Sequence, residues 1–406
     1  MLMEYCSGFW MNLDFLVVGG GIGGTILAEL LGRGGKKVVV LEKTIAPPNW
    51  VRPEILWQAT VKLLFSLIPK EIWEEDALLP LGGINLRDGR GKIRFVSPEL
   101  FQKIQVERWA ADANRTRERL LNLRAFELRR GVEVIALLKE KNRTVGVRTR
   151  HVVTGQESEF LAPWTIGDDG PHSLVRQACG LEMETRLFPL DFLCSGFSWP
   201  KSFEKATTQV WLSVGGSHSG ILGLLAAPLP QGRGASVVLV RPEIFETKNL
   251  LEDTWERFCA SDSALKEVVQ ERHFPSDFVR VRRSWGHATR YGGEGVILMG
   301  DAAHPLSPAG GQGANMSVAD ARALAEIALH NPSRLLEEYE RRRRAANERS
   351  LRFTRVAAWL LDLPDWCLPT SAFLSALHWA SRYPSLSGPL IRYVSTAFEE
   401  KAPTPY

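Results

Sequence analysis

Three short runs hold the residues whose types and spacing could do chemistry. The first is Gly19-Gly20-Gly21-Ile22-Gly23-Gly24, with the spacing Gly19-x-Gly21-x-x-Gly24, directly after the apolar run Leu13 to Val18. Glycine at the first position permits a tight turn. At the second it lets a pyrophosphate approach the backbone, and at the third it lets a helix pack closely on a strand. The free N–H groups of the following helix then attract phosphate. Glu42 closes the next β-branched run, where a carboxylate accepts both hydroxyls of a ribose and opposes a 2′-phosphate. The second run, Gly167-Asp168-Asp169-Gly170, follows the apolar stretch Leu161 to Ile166. Its carboxylates suit a ligand hydroxyl or a phosphate-side water, and they equally suit a tight acidic turn. The third run is Gly300-Asp301-Ala302-Ala303-His304-Pro305, continued by Pro308 and by Gly310-Gly311-Gln312-Gly313-Ala314-Asn315. Small residues at a helix start leave several N–H groups free to stabilise negative charge on one ligand edge.

Elements of definite kinds must position these runs. Leu27, Leu30 and Leu31 predict a helix stopped by Gly32, Gly34 and Gly35, and Lys37 to Leu41 a second buried strand. Arg52-Pro53-Glu54 reads as the opening of a helix through Ile55, Leu56, Ala59, Val61 and Leu64. Gly82 to Ser97 reads as a hairpin turned at Asp88-Gly89, joining a sheet outside the nucleotide core. Residues 115 to 130 read as one charged helix containing Arg124, and 132 to 138 and 145 to 153 as strands. From 186 to 285, aromatic and aliphatic residues alternate with Gly, Ser and Pro, as in an antiparallel sheet with an apolar wall, and a charged helix runs from about 250 to 269. Leu335 to Arg344 reads as a helix whose pairs Glu337–Arg341, Glu338–Arg342 and Glu340–Arg344 make the arginine run ordinary surface chemistry.

Composition narrows the classes. The 406 residues carry 50 Lys plus Arg against 46 Asp plus Glu, and much of the excess sits in Arg341 to Arg344, so no nucleic-acid groove is indicated. The five cysteines are scattered without a CxxC, which opposes a disulfide framework and a metal centre and favours a reducing, cytoplasmic setting. No apolar stretch reaches the roughly 20 residues a membrane span needs, and no signal peptide is expected.

Together, the three runs resemble those of the single-component FAD-dependent aromatic hydroxylases, the family of para-hydroxybenzoate hydroxylase and many polyketide hydroxylases. The resemblance rests on GxGxxG, on Gly167-Asp168-Asp169-Gly170-Pro171-His172-Ser173-Leu174-Val175-Arg176, and on Gly300 to Asn315, in that order. It implies an α/β chain with a Rossmann-like FAD-binding core, a mixed or antiparallel substrate sheet and a C-terminal helical segment. The implied FAD-binding parts are 1–81, 106–185 and 286–345. The substrate hairpin is 82–105, the substrate domain 186–285, and a helical cover 346–406. FAD is the implied cofactor, with NADH or NADPH as a transient reductant. Oxygen transfer from a flavin C4a-hydroperoxide to an aromatic or lipophilic small molecule is the implied reaction. Gly19, Gly21 and Gly24 hold the pyrophosphate in that reading, Glu42 the adenosine ribose, and Arg52, Arg124, Asp169 and Asp301 further parts of FAD. Gly311, Gln312, Gly313, Ala314 and Asn315 border the isoalloxazine, and Pro308 lies toward the substrate. His218, in the substrate sheet, is a candidate proton acceptor beside its reading as a solvated turn residue. Asp168 stands where the family carries alanine, and is expected to face solvent.

Other members of the superfamily, a halogenase or an isoprenoid reductase, remain alternatives, although the halogenase WxWxIP element is missing from the sequence. A non-catalytic FAD-binding scaffold is a third. A monomer or homodimer is expected. The tail is expected to pack back over the FAD and substrate units. Its competing reading is a membrane-surface contact through Arg349, Arg352 and Arg355 with Trp359, Trp366 and Trp379.

Overall fold

An apolar run with no polar alternation must bury both faces, and Phe15–Val18 does so as an inner strand of a six-stranded sheet. The computed structural model describes residues 13–87, 93–212, 220–245, 248–269, 273–306, 311–362 and 370–400. The sheet runs Gly292–Gly293, Val296–Leu298, Trp164–Gly167, Phe15–Val18, Val38–Glu42, Glu127–Arg130, all parallel except the first pair. Val18 is in register with Leu41 on one side and Gly167 on the other, and Gly167 with Leu298. Four strands therefore end together, and Gly19, Glu42, Asp168 and Gly300 emerge on one edge. Ligands of open α/β sheets bind at such an edge.

A seven-stranded mixed sheet forms the second layer, in the order Val279–Val281, Asp191–Ser198, Arg233–Val240, Ile221–Leu229, Thr208–Leu212, Ile84–Arg87, Ile93–Val96. The hairpin strands join it as expected, with Ile84–Arg87 parallel to Thr208–Leu212. Its turn, 88–92, lies outside the described residues. A three-stranded antiparallel sheet of Pro53–Trp57, Arg108–Asp112 and Leu78–Pro80 stands between the layers, where Leu81 and Ala110 pack with Ala227, Leu229 and Ala235.

Several elements differ from the sequence reading. Pro53–Trp57 is a strand, and the helix begins only at Gln58. Pairing with Arg108–Asp112 overrides the helical spacing, and Pro53 takes the first strand position, where its missing N–H costs least. The segment 115–130 is a helix only over Ala113–Leu121, which Asp112 caps by accepting from the N–H groups of Asn114 and Arg115. Glu127–Arg130 instead pairs with the strand ending at Glu42. The helix at 250–269 is two, Lys248–Ala260 and Ser263–Val269, broken where the Asp262 carboxylate accepts from the N–H of Ala264.

The arginine run departs furthest. Its helix is Leu335–Asp362, and only Glu340–Arg344 of the three expected pairs forms. Arg341 pairs with Glu338, and Arg342 with Glu326 and Glu400. Arg343 is fully buried, its Nε 2.7 Å from the buried carboxylate of Asp320. That carboxylate also accepts from the N–H of Gly300 at 3.1 Å and from Asn347 Nδ2 at 3.2 Å, and meets His304 Nε2 at 2.6 Å. Burial alone would raise the Asp320 pKa, but His304 and Arg343 hold it well below the carboxylate range. Beyond this helix, Thr370–Ser381 and Pro384–Thr396 fold back on the body. Gln312 Nε2 donates to Val394 O, Arg392 Nε to Ile104 O, and Arg349 to Glu399 O. No described helix is long and apolar enough to cross a membrane.

Removing one partner from a buried ion pair leaves the other charge uncompensated. Asp320→Ala should therefore cost about 3–5 kcal/mol. Urea unfolding checks this, and a loss below about 1 kcal/mol would show that the pair contributes no more than a surface one.

Candidate functional site

The glycine turn is built so that nothing larger fits. Gly19 has φ +106°, and a Cβ there would lie 2.3 Å from the carbonyl oxygen of Asp168. A Cβ at Gly24 would meet Gly19 O at 2.6 Å. Close strand–helix packing thus accounts for both. The helix Ile22–Arg33 starts at Gly21 with no side-chain cap, and the N–H groups of Gly21, Ile22 and Gly23 have no hydrogen-bond partner among the described residues. Three uncapped donors at the positive end of a helix dipole suit a phosphate group.

Glu42 is placed by its strand beneath this turn. Its carboxylate accepts from the N–H of Gly20 at 2.8 Å and from the N–H and Oγ1 of Thr44, and pairs with Arg117 at 2.7 Å. Burial works against the charge, but Arg117 and these donors hold its pKa below the ordinary value. Arg117 also donates to Gly20 O at 2.7 Å, so it binds both the turn and the acid. Arg124 does not join this group. It is exposed beyond the helix Ala113–Leu121, and its neighbour Ala125 presses on Gly32 at the opposite end of the first helix from Gly21. No spacing marked Arg117 among the arginines of its segment; only the helix's docking on Glu42 does.

Asp168 does not face solvent. Its Oδ2 accepts from the N–H of Gly24 at 2.7 Å, and Ser317 Oγ lies 3.5 Å from its Oδ1. A Cβ at Gly300 would lie 2.5 Å from the same Oδ1. The strand register turns this side chain inward, and all three glycine-rich runs meet around it. Burial pushes its pKa well above the carboxylate range, and Asp301, Asp169 and Asp320 add repulsion that the Gly24 N–H only partly offsets. Asp169 points elsewhere: Oδ2 accepts from the N–H of Val175, while Oδ1 is buried without a partner among the described residues. Arg176 fastens this run to the third by donating to Ala302 O at 2.8 Å.

Asp301 pairs with Arg283 at 3.1 Å, and Arg52 is held charged by Glu54, 2.6 Å away, and by Asp301 despite burial. Arg283 carried no sequence signal. The amide of Asn315 serves the backbone: Oδ1 accepts from the N–H of Trp57, and Nδ2 donates to Ile55 O and Gly311 O. It clasps the strand Pro53–Trp57 to the start of the helix Gly313–His330. The side chain of Gln312 reaches the tail, as above. The N–H groups of Gly313 and Ala314 have no partner among the described residues, and a Cβ on Gly313 would meet only Leu306, at 3.8 Å. Pro308 and His218 lie outside the described residues. Among the described residues no group of three or more His, Cys, Asp or Glu side chains could hold a metal.

Two helix starts without a side-chain cap and an orphaned buried oxygen on Asp169 offer donors and an acceptor that fit a dinucleotide with a charged flavin edge. A family model described as "FAD binding domain" matches residues 12–354. An uncharacterized aromatic compound monooxygenase, YhjG, of Bacillus subtilis is 26% identical over 90% of this chain and 72% of its own. The 6-methylpretetramide 4-monooxygenase of Streptomyces rimosus is 27% identical over 84% and 82%. The crystal structure of a Klebsiella pneumoniae HpxO variant complexed with FAD superposes with a TM-score of 0.75 at 20% identity, covering 95% of this chain and 99% of that one.

Two tests follow. The folded-state pKa of Asp168 lies above its unfolded value near 3.8. The native state therefore keeps a proton that the unfolded chain releases, and stability from this group falls as pH rises above that value. Asp168→Asn should flatten the decline of thermal midpoint as pH rises above the unfolded value near 3.8 and hold FAD more tightly at the alkaline end; unchanged slopes would refute the placement. Arg117→Ala should weaken FAD retention on the order of tenfold, while Arg124→Ala leaves it at the wild-type value, both read by flavin fluorescence on dilution. The chain belongs to the FAD-binding-domain family, among its FAD-dependent aromatic monooxygenases, with FAD as its cofactor.

Proposed function

We propose that this monooxygenase hydroxylates an aromatic or polycyclic small molecule against the apolar wall beside Ile55. The observation that supports the reading is the meeting of the three runs at Asp168, which brings the first helix start beside the Gly300 run and Ser317 of the helix Gly313–His330. Ile55 connects the third run to the wall. It lies 3.3 Å from a Cβ placed on Gly311, and it packs with Leu81, Leu225, Ala227 and Leu229. Pockets for flat apolar molecules have such walls.

FAD, reduced by NADH or NADPH, supplies the oxygen chemistry when bound. The N–H groups of Gly21, Ile22 and Gly23 would bind its pyrophosphate, and Glu42, fixed by Arg117, its adenosine ribose. Asp169 Oδ1 and Asp301 are suited to hydroxyl groups of the linking chain. Arg52 and Arg283 offset the carboxylates there. The N–H groups of Gly313 and Ala314 would stabilise negative charge at the flavin edge, worth most where water is excluded. The tail is tied beside this helix start by the bond from Gln312 to Val394 O, where it would help exclude water. Roles for Pro308 toward the substrate and His218 as proton acceptor stay part of the proposal.

The test supplies NADH or NADPH, labelled O₂ and a panel of polycyclic phenols to the purified yellow holoprotein. One labelled oxygen per product molecule is expected, with pyridine-nucleotide oxidation stimulated by the accepted phenol. Stimulated oxidation with products free of label would remove hydroxylation. FMN in place of FAD in the denatured supernatant would remove the site assignment as well.

A further inference from the structure

The last three helices bury the wrong residues for a solvent-facing cover. Among the described residues, seven of the twelve exposed large apolar side chains fall between Val356 and Tyr393. They are Val356, Trp359, Trp379, Tyr383, Leu386, Leu390 and Tyr393. The helix Pro384–Thr396 buries Gly388 and Ser395, while Leu390 is 58% exposed. Leu386, Leu390 and Tyr393 follow helical spacing, so they form one outward stripe. On Thr370–Ser381, Ala372, Ala376 and Trp379 form a second, extended by Tyr383, whose ring lies 5.0 Å from that of Trp379. Tyr393 reaches Phe353 on the preceding helix, which carries Val356 and Trp359 outward. The stripes make one surface, and monomeric soluble proteins rarely expose contiguous apolar surface on that scale.

Charge identifies the occupant. From Trp366 to Phe398 the sequence has no Asp or Glu, while Arg382 and Arg392 are exposed there; Arg352, on the helix Leu335–Asp362, lies 3.7 Å from Glu348. Two copies meeting through the last two helices would bring to itself a patch that holds arginines and no carboxylate. An anionic lipid surface supplies the missing charge, and Trp and Tyr favour the headgroup level. Both helices are too short to span; Pro384–Thr396 is bound to Ile104 and Gln312, and Thr370–Ser381 packs on the body through Leu374. Helices of this make-up lie in the interface plane.

We propose that the face formed by Thr370–Ser381, Pro384–Thr396 and the end of Leu335–Asp362 docks on an anionic membrane surface. The inner side of these helices packs on Leu306, Met316 and Val210, next to the flavin motif. Docking would therefore place the reaction cleft against the bilayer, where a lipophilic substrate is concentrated. The surface stands independently of the hydroxylation reading.

The test floats full-length, FAD-loaded protein with vesicles of phosphatidylcholine alone or mixed with phosphatidylglycerol. Flotation with the anionic vesicles, weakening as salt is raised, is the expected result. Arg382→Glu should lower binding on the order of tenfold. Leu386→Glu with Leu390→Glu should abolish it while FAD content and helicity persist. Should that pair lose FAD, Trp379→Ser with Tyr383→Ser makes the same comparison. A folded wild-type protein that stays in the dense fraction with both vesicles overturns the proposal. So does flotation unaffected by these substitutions, or a concentration-dependent dimer that they disperse.

Discussion

The structure turns on one buried carboxylate. Asp320 accepts from the backbone of Gly300, the ring of His304, the guanidinium of Arg343 and the amide of Asn347. Each donor belongs to a different part of the third run or of the helix behind it. A charge taken out of water is tolerated only when it is paired and its lone pairs are filled, so these parts have one mutual arrangement. That arrangement fixes Gly300 and Asp301 relative to the helix Gly313–His330, and through it the Asn315 clasp to Ile55 and Trp57. The third run is thus held from behind by one buried contact.

On the front, backbone proximity does the corresponding work. Gly19, Gly24 and Gly300 let three chain segments approach until carbonyl and carboxylate oxygens fill the space side chains would need. Asp168 is the shared neighbour of all three. Glu42 is similarly shared: the same carboxyl group that would meet a ribose already supports the turn through Gly20 and is steadied by Arg117. The groups proposed to meet the cofactor and those that shape the glycine turn are thus the same few polar atoms.

Much of this was legible in the residues. The glycine spacing, Glu42 after a β-branched run and the GDAAH-to-Asn315 segment each state a local requirement, and local requirements survive folding. What escaped was set by tertiary partners. Pro53–Trp57 had helical spacing and became a strand because Arg108–Asp112 offered it a ladder. Arg124 was named and Arg117 was not, because nothing local marks one arginine of this segment above another; the helix's docking on Glu42 singles out Arg117. Arg343 was read with the surface run because Arg341, Arg342 and Arg344 each have an acid four residues before; its own such neighbour is Tyr339, and it faces inward to Asp320. Asp168 was assigned to solvent on like-charge repulsion alone, and burial with a changed protonation balance answers that repulsion differently.

The sheet register has a consequence for how the chain assembles. Phe15–Val18 can pair with Val38–Glu42 as soon as both exist, but its other neighbour is Trp164–Gly167, and beyond that Val296–Leu298. Residues that end side by side are separated by most of the chain. Loop closure must precede the reward of each such pairing, which places the protein among slow, high-contact-order folders. During synthesis the edge of Trp164–Gly167 stays unsatisfied while more than a hundred further residues emerge, including five strands of the seven-stranded layer. Unpaired parallel edges of that kind are where chaperones act and where aggregation begins.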